Sequence, residues 1–200
     1  MDGISPSDVL ESLSLDKNRK KVFKAGEGAG QSGSFFFFSH DNRFIIKTLR
    51  GSEKGILLNL LDDYIAHIKS TRNRSLLARI YGVFTFKTNA FDPMDIMIMQ
   101  NTVQLRDKQN GQLKFDMKGS TKGRYVPIPK SEHKFWRTTF DQSRVMKDLN
   151  YEEINYDLDH AFIRLSEEQY EATNFICAMD SAFLEEHGLM DYSLLLIVEH

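Results

Sequence analysis

The segment Gly28-Ala29-Gly30-Gln31-Ser32-Gly33 runs directly into Ser34 and four consecutive phenylalanines, Phe35 to Phe38. That junction constrains the fold more than any other stretch of the chain. A G-x-G-x-x-G run that opens a dinucleotide-binding unit is followed at once by a helix. Four aromatic residues in a row belong in a strand instead. A polar Ser39-His40-Asp41-Asn42 turn and a second apolar run, Phe44-Ile45-Ile46-Lys47-Thr48, complete an antiparallel hairpin. The glycines therefore lead into a sheet, where the missing Cβ atoms let the backbone approach a ligand and present its N–H groups. A flexible turn has the same composition, so the run alone identifies no ligand.

Periodicity organises the rest. Ser5-Pro6-Ser7-Asp8 opens a short helix over Val9 to Leu13, and Lys17 to Lys24 is a basic connector. From Ser52 the spacing predicts a long helix, with Ile56, Leu57, Leu60, Leu61, Tyr64, Ile65 and Ile68 along one stripe. Ile80 to Phe86, Asp95 to Met99 and Leu113 to Lys118 read as strands, and Gly119 to Arg137 as a polar loop. Phe140 to Leu149 and Ser166 to Glu186 suit helices, the second opened by Ser166 and stopped by Gly188. Tyr192 to Val198 reads as a final strand. This is an α+β order, a β-rich part with one long helix followed by a more helical part.

Of the 200 residues, 41% are hydrophobic and 27% charged, an ordinary globular balance. The formal charge of −2 gives no overall attraction to nucleic acid, and Cys177, the sole cysteine, excludes an internal disulfide. The first ten residues lack the pattern of a signal peptide, and no apolar run is long enough to span a bilayer. The expected location is cytoplasmic. Charge is unevenly placed: residues 114–137 hold seven Lys/Arg against two acidic residues, whereas 148–191 hold twelve Asp/Glu against Arg164. Either these are solvated surfaces or the basic stretch is an anion-binding edge.

Four features carry candidate chemistry. Lys47 follows Gly33 by fourteen residues and ends an apolar strand. A lysine there neutralises α/β-phosphate charge in a kinase, although an ordinary strand-end lysine reaches water from the same place. Glu53, in the first turn of the next helix, could orient that lysine or stabilise the helix N-terminus, and Asp62 and Asp63 lie on the same helix. Asp116-Met117-Lys118-Gly119-Ser120-Thr121-Lys122-Gly123-Arg124 sets three cations around two glycines, combining positive charge with accessible backbone, as phosphate handling requires. Asp191, within Met190-Asp191-Tyr192-Ser193-Leu194-Leu195, is a structural residue, a positioned base or a metal ligand. The protein-kinase motifs H-R-D-L-x-x-x-N and D-F-G are absent, and no zinc spacing or nucleophile triad is present. The six histidines are scattered and read as surface or partly buried side chains.

Together these segments resemble the phosphatidylinositol phosphate kinase family. The matching pieces are Gly30-Gln31-Ser32-Gly33-Ser34-Phe35-Phe36, Phe44-Ile45-Ile46-Lys47-Thr48, Asp116-Met117-Lys118-Gly119-Ser120-Thr121, Lys147-Asp148-Leu149 and Met190-Asp191-Tyr192-Ser193-Leu194-Leu195, in the family's order. The resemblance implies a kinase-like two-lobed fold. Residues 1–24 would form an N-terminal helix and connector, 25–139 a nucleotide-binding lobe with an antiparallel sheet, and 140–200 the start of an incomplete C-terminal catalytic lobe. It also implies ATP and Mg²⁺ as cofactors, and γ-phosphoryl transfer to the inositol ring of a phosphoinositide.

By position, Gly30, Ser32, Gly33 and Ser34 would cover the phosphates and Lys47 would bind them, oriented by Glu53. Met99 and Asn101 would border the base, Lys118 would lie at the phosphate end, and Asp191 would orient the attacking hydroxyl and hold metal. A phosphoinositide at the cytosolic membrane face would be the substrate, making the protein peripheral there, and a homodimer paired through N-terminal parts is implied too. Met117 replaces the family's usual leucine, a volume-conserving change. The family's second metal-binding aspartate and its lipid-selecting loop lie beyond its Met-Asp-Tyr-Ser-Leu-Leu segment, whereas this sequence ends at His200, so the expectation is little or no lipid phosphorylation by these residues alone. The alternative is a non-catalytic kinase-like module that binds nucleotide, phosphoinositide or a partner subunit.

Overall fold

The computed structural model describes residues 3–19, 34–90, 92–103, 112–128, 144–157, 163–189 and 193–199. The chain divides into two compact units: Met1–Gln104 with Phe175–Phe183, and Leu105–Asn174 with Leu184–His200. The fold is α+β, each unit being built on its own sheet.

The first unit begins with α1 (Pro6–Ser12) and α2 (Leu15–Arg19). Ser5 caps α1 reciprocally with Asp8: each side chain bonds the other residue's backbone N–H, and Pro6 supplies the first helical φ. The strands β1 (Phe36–Phe38), β2 (Phe44–Leu49), β3 (Ile80–Phe86) and β4 (Met94–Gln100) form an antiparallel sheet in the order β1-β2-β4-β3. The turn between β1 and β2 is closed by Asp41, whose carboxylate accepts from Ser12 and Ser39 hydroxyls at 2.6 Å each and from the Arg43 N–H. Ser12, Ser39 and Phe44 are buried there.

Helix α3 (Gly51–Ser70) buries Tyr64 and His67 and half-buries Leu57, Leu60, Leu61 and Ile68. Ile56 and Ile65 depart from the expected stripe, remaining 57% and 40% exposed. At about 100° per residue they lie roughly a quarter turn from Tyr64, on the flanks of the buried line. The Tyr64 hydroxyl donates to Ala78 O at 3.0 Å and accepts from Ile80 N at 3.1 Å, fixing the connection into β3.

In the second unit, β5 (Gln112–Met117) pairs in parallel with β6 (Val145–Lys147) and antiparallel with β7 (Leu194–Glu199). Alternation along β5 sends Leu113 and Phe115 into a core with Ile128, Met146 and Ile154. The helix expected over Phe140 to Leu149 is corrected here: residues 145–147 form a strand, and α4 runs Asp148–Asp157. Met146, fully buried opposite Phe115, draws this segment into the sheet.

Helix α5 (Glu167–Glu186) opens with Ser166 and Gln169 bonding each other's backbone N–H reciprocally. It ends at Gly188, whose φ of +62° requires the left-handed conformation, with Leu189 N bonding back to Leu184 O. No described helix is long and apolar enough to cross a membrane.

Candidate functional site

In the first unit, Lys47 stands on β2 opposite Phe36 of β1 and Met97 of β4. Ile45 stands opposite Met99, so Lys47, Met97 and Met99 share one face of the sheet. The Lys47 ammonium lies 2.8 Å from Glu53 Oε1. Glu53 Oε2 accepts from the Arg50 N–H, also at 2.8 Å, at the start of α3. One carboxylate thus orients the lysine and caps the helix at once. The Arg50 amide first, then the Lys47 ammonium, hold the Glu53 carboxyl below its ordinary range. Nearby on α3, Lys54 binds Asp95 at 2.7 Å and Thr85 at 2.7 Å, tying the helix to β3 and β4.

Ser34, just before β1, is buried. Asn101, just after β4, is buried as well and spends its side chain locally: Nδ2 donates to Asn42 O and Oδ1 accepts from Val103 N. It therefore ties the β1–β2 turn to the end of β4. Gly30, Ser32 and Gly33 lie outside the described residues, as does Asp191.

In the second unit, Lys118 follows β5 in an exposed loop, Lys118 to Gly123, that closes on the buried Arg124. Asp148, opening α4 and itself buried, organises this loop. Its Oδ1 accepts from Lys118 N at 3.0 Å and Gly119 N at 2.8 Å, and its Oδ2 accepts from Arg124 Nε at 2.7 Å. Arg124 Nη2 also donates to both the backbone oxygen and the carboxylate of Asp116. Burial alone would raise the Asp148 carboxyl, but the Arg124 guanidinium and three backbone N–H donors outweigh it and lower it to about 2. Partial burial likewise raises Asp116, and bonds from Ser193 and Arg124 reverse that into a net lowering. The next residues of α4 continue the anchoring: Leu149 N donates to Arg124 O, and Asn150, fully buried, bonds both N and O of Val126.

The accessible backbone expected around Lys118 and Gly119 is thus corrected: those two N–H groups already hold a carboxylate. No group of three or more His, Cys, Asp or Glu among the described residues is placed to hold a metal. Asp116 and Asp148 do not fit a cation, because the Arg124 guanidinium occupies the space between them.

A family model described as phosphatidylinositol-4-phosphate 5-kinase matches residues 17–200. The chain belongs to this family. Phosphatidylinositol 4-phosphate 5-kinase 9 of Arabidopsis thaliana is 36% identical over 173 residues, which are 86% of this chain and 18% of that protein. Phosphatidylinositol 4-phosphate 5-kinase 1 of the same plant is 36% identical over 166 residues, 83% of this chain and 20% of that one. A probable phosphatidylinositol phosphate kinase of Dictyostelium discoideum is 32% identical over 201 residues, covering 99% of this chain and 26% of its own length. The chain therefore spans about a fifth to a quarter of these relatives.

The structure brings together Lys47 with Glu53, and the Lys118 backbone N–H with Asp148. Sequence reasoning missed the anchoring roles of Asp148, Arg124 and Asn150. The signal available was an Asp-x-Asn step at a helix start, downstream of a glycine-rich basic loop. It also missed His67, which is buried, where a surface or partly buried side chain was expected, and which bonds Asp180 on α5 at 2.6 Å within the first unit.

Proposed function

We propose that the chain carries the nucleotide-binding and catalytic part of a lipid kinase that moves the ATP γ-phosphoryl group to the inositol ring of a phosphoinositide. The carrying observation is the 2.8 Å Lys47–Glu53 pair on the sheet face shared with Met99, in a chain of this family. Phosphoryl transfer depends chiefly on positioning and charge stabilisation, and a lysine held by a helical carboxylate supplies both for the phosphates. In this reading Gly30, Ser32, Gly33 and Ser34 cover the phosphates, Met99 borders the base and Asn101 stiffens the segment beside it. Lys118 meets the phosphate end, and Asp191 orients the attacking hydroxyl.

The same reading includes Mg²⁺, which neutralises phosphate charge when bound, with Asp191 as its ligand. Among the described residues, no group of carboxylates fits that ion. It also includes a peripheral location at the cytosolic face of membranes, a homodimer, and no nucleic-acid partner.

The test is transfer from radiolabelled ATP to vesicles containing phosphatidylinositol 4-phosphate. These residues alone should label little or no lipid; placed in a family member in exchange for its matching segment, the wild-type sequence should support labelling, and Lys47→Met and Asp191→Asn should each lower that rate by about a hundredfold or more without changing thermal stability. Nucleotide or vesicle binding with no transfer, indifferent to Asp191→Asn, would instead support a non-catalytic module.

A further inference from the structure

The loop after β5 is arranged unlike a loop waiting for its ligand. Lys118, Gly119, Ser120, Thr121, Lys122 and Gly123 are all exposed, while the residue that ends the loop, Arg124, is buried. Gly119 has a φ of +67°, so the successive N–H groups of Lys118 and Gly119 converge on one point and form a small anion-binding nest. The anion in that nest is Asp148 Oδ1. The other oxygen of the same carboxylate neutralises Arg124, the one cation of the loop that is withdrawn from solvent. The loop is therefore closed by an internal carboxylate, and Lys118 and Lys122 are exposed residues of it.

We propose that Asp148 and Arg124 are positioning residues: Asp148 stands in the nest where a phosphate could otherwise sit, and with Arg124 it holds the loop so that the exposed Lys118 and Lys122 present their side chains to a phosphate group. This rests on the lipid-kinase reading above. Three consequences follow from the geometry. The loop is folded before nucleotide arrives, so its ordering is not charged against binding. The nest N–H groups do not serve the substrate, which distinguishes this loop from a glycine-rich phosphate cradle. Arg124 acts through Asp148 and Asp116 and does not touch phosphate, so its geometry matters as much as its charge.

The experiment is equilibrium binding of ATP and, separately, of adenosine to the full chain, in wild type, Asp148→Asn, Arg124→Lys and Lys47→Met. Asn keeps an oxygen for the nest and loses the charge that holds Arg124. Lys keeps the charge and loses the fork that spans both aspartates. Each should weaken ATP by about tenfold, the scale of one lost charge-assisted bond, with adenosine unchanged. A merely structural role would lower both ligands equally, and that result overturns the proposal, as does unchanged binding of both. ATP affinity lost in Lys47→Met but intact in the other two variants sinks this inference and leaves the kinase reading standing. Failure of wild type to bind ATP overturns the kinase reading and this inference with it.

Discussion

Replacing Asp180 by alanine probes a buried polar joint that periodicity could not reveal. The carboxylate receives the His67 ring nitrogen at 2.6 Å and the Leu76 N–H at 2.7 Å, and His67 stacks on Phe183 with centroids 4.5 Å apart. Both His67 and Asp180 are more than nine-tenths buried. Alanine removes one acceptor from two donors, the buried His67 ring and the amide of half-exposed Leu76. An orphaned buried donor costs about 1–3 kcal/mol, and the amide, which water can reach, adds less than about 1 kcal/mol, so about 2–3 kcal/mol is expected. At roughly 2–4 °C per kcal/mol for a chain of this size, the transition falls by about 4–12 °C. Two assays read it: urea unfolding followed by circular dichroism, and hydrogen exchange at the Leu76 amide, which should lose protection before the Asn101 amide does. A cycle with His67→Ala should show a coupling of about 1–3 kcal/mol, because the two residues share the bond. A loss under about 1 kcal/mol, additive single changes, or a Leu76 amide as protected as before would refute the reasoning.

Glu53→Gln keeps an oxygen for the Arg50 N–H but removes the charge facing Lys47. The pair is partly exposed, so stability should change by less than about 1 kcal/mol, while ATP affinity, read by equilibrium binding, falls by about tenfold. Asn150→Ala strips the Val126 N–H and C=O of their partner in a fully buried site. It should lower stability by about 2–4 kcal/mol, read by thermal unfolding. Asp148 and Asp41 both titrate near 2 in the folded chain against an ordinary value of 3.8. Depressed carboxyl groups stabilise the fold above the unfolded value, and that stabilisation disappears as pH falls through the folded one. The acid transition by circular dichroism should therefore lie between about pH 4 and pH 2, and Asp148→Asn should shallow the loss there. A transition whose steepness the variant leaves unaltered would contradict this.

Much of the fold was legible because it is local. The interval Ile80–Phe86 is a strand over the residues its β-branched and aromatic pattern marks, and Ser166 with Gln169 opens α5 as its spacing requires. Glycine at 188 ends that helix because the chain there turns through a positive φ. What escaped is non-local. The three-residue strand β6 exists because β5, some thirty residues earlier, offers it a parallel edge and a place for Met146. His67 and Asp180 are 113 residues apart, and each looks like an ordinary polar residue on its own helix. Helical spacing locates the buried line of α3, yet says nothing about a histidine admitted to it by a carboxylate from another segment.

The candidate site divides along the same line. Lys47 and Glu53, six residues apart, are brought together by a strand end and a first helical turn, so sequence spacing alone suggested them. Two readings of Glu53 competed there, and its two oxygens bond both candidates, Oε1 the Lys47 ammonium and Oε2 the Arg50 N–H. The loop from Lys118 to Arg124 shows the converse. Counting its cations treats Lys118, Lys122 and Arg124 as equivalent, but Asp148 and Asp116 neutralise the arginine inside the fold. The exposed cationic residues of the loop are then Lys118 and Lys122, and its glycine-conformation backbone is already committed to a carboxylate. A phosphate approaching this loop therefore meets side chains on a prebuilt frame, which is why the charge-neutral change Arg124→Lys is expected to matter at all.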